Sequence, residues 1–122
     1  MSDNHVVKQI VDSMSLDEKI RLLAGRDAWH TQPIESASLP SVMLTDGPHG
    51  LRKQEEGFGL NGSIPSTCFP PACLMAASWD EVMVESVGSA IGEECAAEDV
   101  SIILGPGVNI KRNPLCGRNF EY

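Results

Sequence analysis

The chain reads as α/β, specifically an incomplete (β/α)8 TIM-type barrel: N-terminal helices followed by roughly the first three strand–helix units. Three observations predict this. The short apolar run from Ser41 to Thr45 is closed by Asp46-Gly47-Pro48, the pattern of a buried strand ending in a turn. A long helical pattern follows, and then a β-branched run, Val100 to Leu104, stopped by Gly105-Pro106-Gly107. Strand, helix, strand in that order implies a right-handed parallel crossover. A parallel sheet needs helices on both faces or closure into a barrel. At 122 residues the chain has about half of the roughly 250 that a complete barrel takes.

Taken in order, His5 to Met14 carries Val7, Ile10, Val11 and Met14 at helical spacing and predicts a short amphipathic helix. Ser15-Leu16-Asp17-Glu18 is a capping box that opens a second helix, with Leu16, Ile20 and Leu23 as its apolar stripe and Gly25 as a left-handed stop. A loop with Trp29 and Pro33 leads to the first strand. From Lys53 to Ser66 the chain is rich in Gly and polar residues without periodicity, which predicts a long loop of the kind that often carries function. Beyond Phe69-Pro70-Pro71 and a small apolar stretch, Ser78-Trp79-Asp80-Glu81 reads as a second capping box, opening a helix that runs to about Asp99. Met83, Val87, Ile91 and Cys95, beside Ala90, form its buried face, and Gly88 and Gly92 would permit close packing there. Trp29 and Trp79 read as packing anchors in preference to ligand-stacking platforms. The tail from Val108 to Tyr122 is polar and loop-like. The domain reading is a helical segment over 1–38 and the first barrel strands with their loops over 39–122.

Composition narrows the partners. Nine Lys+Arg against seventeen Asp+Glu leave a net charge of −8, which repels nucleic-acid phosphates and anionic lipid. The start lacks a secretory signal pattern and no apolar run approaches spanning length, so the expected location is cytoplasmic, with neither nucleic acid nor membrane as partner. Cys68, Cys73, Cys95 and Cys116 fall at irregular spacing, far from His5, His30 and His49. They are expected as reduced thiols packed as small apolar groups, and no metal or other cofactor is expected.

Two segments could carry chemistry. In Leu44-Thr45-Asp46-Gly47-Pro48-His49-Gly50-Leu51-Arg52 a carboxylate sits at the C-terminal end of a predicted strand, the active-site end of a barrel, with an arginine six residues on. On chemistry alone this reads equally as a turn, since Asp, Gly and Pro each favour one. The second segment, Asn109 to Tyr122, is dense in Asn and Arg donors, with a carboxylate and aromatic faces, as a site holding several sugar hydroxyls must be. A solvated loop is its bland alternative. Glu93, Glu94, Glu98 and Asp99 lie on or at the end of the long helix and read as a solvated face.

TDGPHGLR, FPPACLMAASWD and NIKRNPLCGRNFEY, in that order and at strand ends, resemble the opening third of the barrel of family 3 glycoside hydrolases, the β-glucosidase-like enzymes. The resemblance covers most of Leu39 to Tyr122. It implies that Asp46 accepts hydrogen bonds from non-reacting hydroxyls of the sugar in the −1 subsite, and that Arg118 and Arg52, ranked in that order, line the same subsite. Lys111 and Arg112 are then structural or peripheral, Glu121 is a structural hydrogen-bonding partner, and His49 is a loop residue and not a general base. The family's nucleophile and acid/base arrive later in the chain, so no catalytic residue is expected here. The implied function is a retaining, exo-acting glycosidase acting on a β-linked glucoside or oligosaccharide, with these residues as an inactive N-terminal fragment partnered by the rest of the enzyme. Two readings stand beside it: a β-xylosidase specificity in the full-length enzyme, and a noncatalytic sugar-binding module that self-associates through exposed strand edges.

Overall fold

The structure is a computed structural model that describes residues 3–55 and 62–122. The chain divides into two units, Met1–Leu44 and Thr45–Tyr122.

The first unit opens with helix α1 (Asp3–Ser13) and helix α2 (Leu16–Ala24). The capping box forms as expected: Glu18 N–H donates to Ser15 Oγ at 3.3 Å while Ser15 N–H donates to the Glu18 carboxylate at 2.8 Å. These two bonds satisfy donors that a helix N-terminus leaves free. Glu18 also accepts from Ser36 Oγ, which ties the helix start to a single 3-10 turn at Glu35–Ala37. The helix stops at Gly25 with φ 76°, but ψ is 167°, so the stop is not the left-handed cap expected. Met14 and Ile34 are the unit's buried apolar residues. The apolar stripes of both helices are otherwise largely exposed, with Val7, Leu16 and Leu23 each more than half accessible.

The predicted strand from Ser41 to Thr45 is shortened at its start. Residues 41–43 are drawn into an irregular antiparallel pairing with 29–31 instead: Thr31 N–H donates to Val42 O, Leu44 N–H to Trp29 O, and Ser41 Oγ to Thr31 O. Regular strand begins only at Leu44, giving β1 (Leu44–Asp46).

In the second unit β1 pairs with β2 (Ile102–Leu104) in a two-stranded parallel sheet. Between them lie helix α3 (Ala72–Ala76) and the longer helix α4 (Glu81–Ala97). The α/β class and the strand–helix–strand order are thus present. Among the described residues only two strands form where about three strand–helix units were expected, because residues 105–122 fold as turns and irregular chain.

Helix α4 starts two residues later than predicted. Its N-cap is Asp80, whose carboxylate accepts from Met83 N–H at 3.0 Å, whereas Ser78 Oγ donates to Met75 O and so closes α3. Trp79, with φ 54°, makes the corner between the helices and is 94% exposed, so it packs as no anchor within this chain. The face predicted for α4 is the one turned inward: Cys95 is buried, and Met83, Val87, Ala90 and Ile91 are partly so. Close packing at Gly88 and Gly92 is absent, since a side chain at either would meet nothing within 4 Å.

The C-terminus of α4 is a Schellman motif. Val100 N–H donates to Cys95 O at 2.9 Å and Asp99 N–H to Ala96 O at 3.4 Å, with Asp99 at φ 55° where glycine is usual. Val100, expected in the strand, is spent on this cap and buried beneath it, so β2 begins at Ile102. Thr45, Leu51, Met75, Cys95 and Val100 form the unit's core. Cys95 alone of the four thiols is buried; Cys68, Cys73 and Cys116 are exposed, against the expectation that all would pack. At the top of the sheet Gly47 and Gly105 touch backbone to backbone: a Cβ on Gly105 would overlap Gly47 O, and one on Gly47 would overlap Gly50 O and the Ile103 side chain.

Candidate functional site

Past the end of β1 the chain forms a short arm, residues 47–52, which returns to the strand it left. Arg52 N–H donates to Asp46 O at 2.9 Å, and the fully buried Thr45 donates its hydroxyl to Arg52 O at 2.6 Å. A side-chain donor thus takes the place of another ladder bond, and Asp46 and Arg52 face one another across an antiparallel bridge.

On its other side the arm is held by residues 66–69. Phe69 N–H donates to His49 O at 2.7 Å and Ser66 Oγ to Leu51 O at 2.5 Å. Gly50 adopts φ 136°, a conformation open to glycine, and a Cβ there would overlap Thr67 O. The segment Lys53 to Ser66, expected as an unpaired loop, closes at its base as a hairpin: Ile64 N–H donates to Lys53 O, and Gln54 bridges Ser63. The middle of that segment, residues 56–61, lies outside the described residues.

Residues 113–122 form a run of turns. Asn113 stabilises it by accepting from Leu115 N–H through Oδ1 and from Asn119 Nδ2 through its carbonyl. Arg118 lies over the Tyr122 ring, 5.8 Å from its centroid, and forms a two-pronged pair with Glu121, Nε and Nη2 each 2.5 Å from a carboxylate oxygen. The hydrogen bonds to Glu121 hold the guanidinium above its ordinary range, with the charges of Glu121, Tyr122 and Asp46 adding to the effect. Reciprocally, the hydrogen bond from Arg118 keeps the Glu121 carboxyl below its ordinary range, helped by the Arg118 charge and by His49. Glu121 is therefore a fixed acceptor that orients Arg118.

These pieces enclose an open cleft of about 360 Å3. Its wall brings together Asp46, Arg52 and Arg118, the three residues singled out from the sequence, with Glu121 and Phe120 beside them. Lys111 and Arg112 lie outside that wall. Several members were not singled out as individual residues from the sequence: Ser63, Ser66, Thr67 and Cys68 line the cleft because the hairpin and the arm carry them there. His49, read as a loop residue, also lines it, and both its ring nitrogens are buried without a hydrogen-bond partner among the described residues. A carboxylate and two guanidinium groups lining one cleft offer acceptors and donors to a neutral polyol, with the Phe120 ring in the same lining.

A family model described as the glycosyl hydrolase family 3 N terminal domain matches residues 2–121. Thermostable β-glucosidase B of Acetivibrio thermocellus is 60% identical over 119 residues, which is 95% of this chain and 16% of that enzyme. An exo-α-(1→6)-L-arabinopyranosidase of Bifidobacterium longum is 53% identical over 116 residues, 92% of this chain and 15% of that enzyme. Among solved structures, the family 3 β-glucosidase of Bifidobacterium adolescentis superposes with a TM-score of 0.76 at 53% identity, covering 92% of this chain and 15% of that one. The Kluyveromyces marxianus β-glucosidase in complex with glucose gives a TM-score of 0.79 at 38% identity, covering 94% and 13%. The chain thus spans 13–16% of the length of these relatives. Matched by the family model across all but its terminal residues, this chain belongs to glycosyl hydrolase family 3, within that family's N-terminal domain.

Proposed function

We propose that the cleft is the −1 subsite of a retaining, exo-acting β-glucosidase-like enzyme, and that β1 and β2 are the first strands of its (β/α)8 barrel. The observation that carries this reading is the convergence of Asp46, Arg52 and Arg118 on one 360 Å3 cleft at the strand ends, a size that suits a single sugar ring. Asp46 accepts from two neighbouring hydroxyls of the non-reducing sugar, while Arg52 and Arg118 donate to them. Such bonds grip groups that do not react, and their energy offsets the cost of distorting the ring toward an oxocarbenium-like transition state. Nucleophile and acid/base, about 5–5.5 Å apart in retaining enzymes, come from the remainder of the protein.

One relative is named for a β-glucoside and another for an L-arabinopyranoside. Both substrates are pyranosides that differ in the configuration at C4 and in the substituent at C5, so the choice between them falls to the groups that face those two positions. The test is hydrolysis of chromogenic aryl β-glucoside and aryl α-L-arabinopyranoside by the protein translated from the uninterrupted reading frame that contains this chain. Asp46→Ala should lower kcat/KM on the preferred substrate by at least about tenfold, the worth of one charge-assisted hydrogen bond. Unchanged turnover in that variant would refute the role given to Asp46.

A further inference from the structure

The walls of the cleft are loops, and loops of this kind are mobile unless something fixes them. Helix α4 supplies two fixings from beneath. Both carboxylate oxygens of Glu94 accept from Thr67 N–H, at 3.2 and 3.3 Å. One turn further on, Lys53 Nζ donates to Glu98 O at 2.7 Å and to its carboxylate at 3.3 Å. Positions four apart share a helix face, so the two anchors stand in line. Thr67 lines the cleft and packs its carbonyl on Gly50, and Lys53 directly follows Arg52. Between the anchors Leu51 is only 3% exposed, over a small hollow of about 110 Å3 shared by Ser66, Glu94 and Glu98.

These contacts separate Glu94 and Glu98 from the other acids of the helix. Glu93 is exposed, whereas Glu94 and Glu98 are partly buried and Lys53 keeps only 24% of its side chain accessible. Lys53 also places its charge on the carbonyl of Glu98, the C-cap of α4, where the helix dipole favours a cation. Each anchor is a charge-assisted hydrogen bond joining the helix to one side of the arm that bears Arg52.

We propose that Glu94 and Glu98 are positioning residues of the sugar site: through Thr67 and Lys53 they hold the arm of residues 47–52, and with it Arg52, at the distance from Asp46 that binding needs. This rests on the reading of the cleft as a sugar subsite. Small displacements of a positioned group are costly in catalysis, on the order of a hundredfold for 1 Å.

The experiment compares Glu94→Ala, Glu94→Gln and Lys53→Met in the protein from the uninterrupted reading frame, with Asp46→Ala as control. Glu94→Ala and Lys53→Met should each raise KM for the aryl glycoside and the inhibition constant of glucose by roughly tenfold, with Tm near that of the parent. Glu94→Gln keeps an oxygen able to accept from Thr67 N–H and should recover most of the loss. KM and inhibition constant within twofold of the parent in Glu94→Ala, or a Gln variant as impaired as the Ala one, would overturn the proposal. Should Glu94→Ala fail to fold, Lys53→Met decides alone by the same criteria. If Asp46→Ala is itself without effect, the sugar reading falls and the positioning role falls with it; loss in Asp46→Ala beside intact anchor variants sinks the positioning role only.

Discussion

Gly50→Ala perturbs the cleft through the backbone alone. At φ 136° an L-residue is strained, a cost of about 1–3 kcal/mol. The added Cβ would also overlap Thr67 O, a backbone atom that cannot swing aside as a side-chain tip can. Overpacking of that sort costs about 1–3 kcal/mol more, so destabilisation of roughly 2 kcal/mol or above is expected. Relief must come from moving residues 66–69 away from the arm, which strains the bonds from Phe69 N–H to His49 O and from Ser66 to Leu51 O. Thermal unfolding followed by circular dichroism should show Tm lower by roughly 4 °C or more. In the same preparation KM for an aryl glycoside should rise, because the arm carries Arg52. Parental Tm together with parental KM would refute the claim that this close approach sets the cleft.

Two further outcomes follow from local geometry. Gly92→Ala on α4 places a methyl group where nothing lies within 4 Å and removes a helix-interior glycine, so stability should increase by roughly 0.5–1 kcal/mol in urea denaturation; a lower midpoint would mean that this face is closely covered. The hydrogen bonds from Ser36 and Ser15 lower the Glu18 carboxyl from 4.5 to about 2. A depressed folded-state value gives stability that is present above about pH 4.5 and lost as pH falls toward about 2, so the start of α2 should loosen across that window. An NMR titration placing Glu18 near 4.5 would contradict the capping geometry, and Glu18→Gln should remove this pH dependence.

Some of the chemistry that acts within a few residues was readable from the sequence. The Ser15–Glu18 box and the inward face of α4 depend on spacing along one helix, and both are where the residue pattern places them. Where two local signals competed, the sequence could not choose. Ser78 and Asp80 are both good N-caps; Trp79, at positive φ between them, gives the first to α3 and the second to α4. Val100 suits a strand equally well, but the cap of α4 needs its N–H. Asp46, Arg52 and Arg118 were singled out by motif, and the structure places all three on one cleft wall. Ser63 reaches that wall through pairing across the hairpin, Thr67 and Cys68 through the bonds that tie residues 66–69 to the arm and to α4, and the roles of Glu94 and Glu98 depend on what lies 27 and 45 residues away. Periodicity carries no record of such separations, which is why those acids read as a solvated face.

The contact between Gly47 and Gly105 bears on how this protein could be re-engineered. Gly105 is exposed, so a library chosen by surface accessibility would randomise it freely. Yet any side chain there would overlap the backbone of Gly47, immediately after Asp46. Accessibility and tolerance to substitution come apart at this point. Libraries aimed at the cleft would keep more folded members by leaving positions 47, 50 and 105 as glycine and placing diversity at Ser63, Cys68 and Phe120, which line it through exposed side chains.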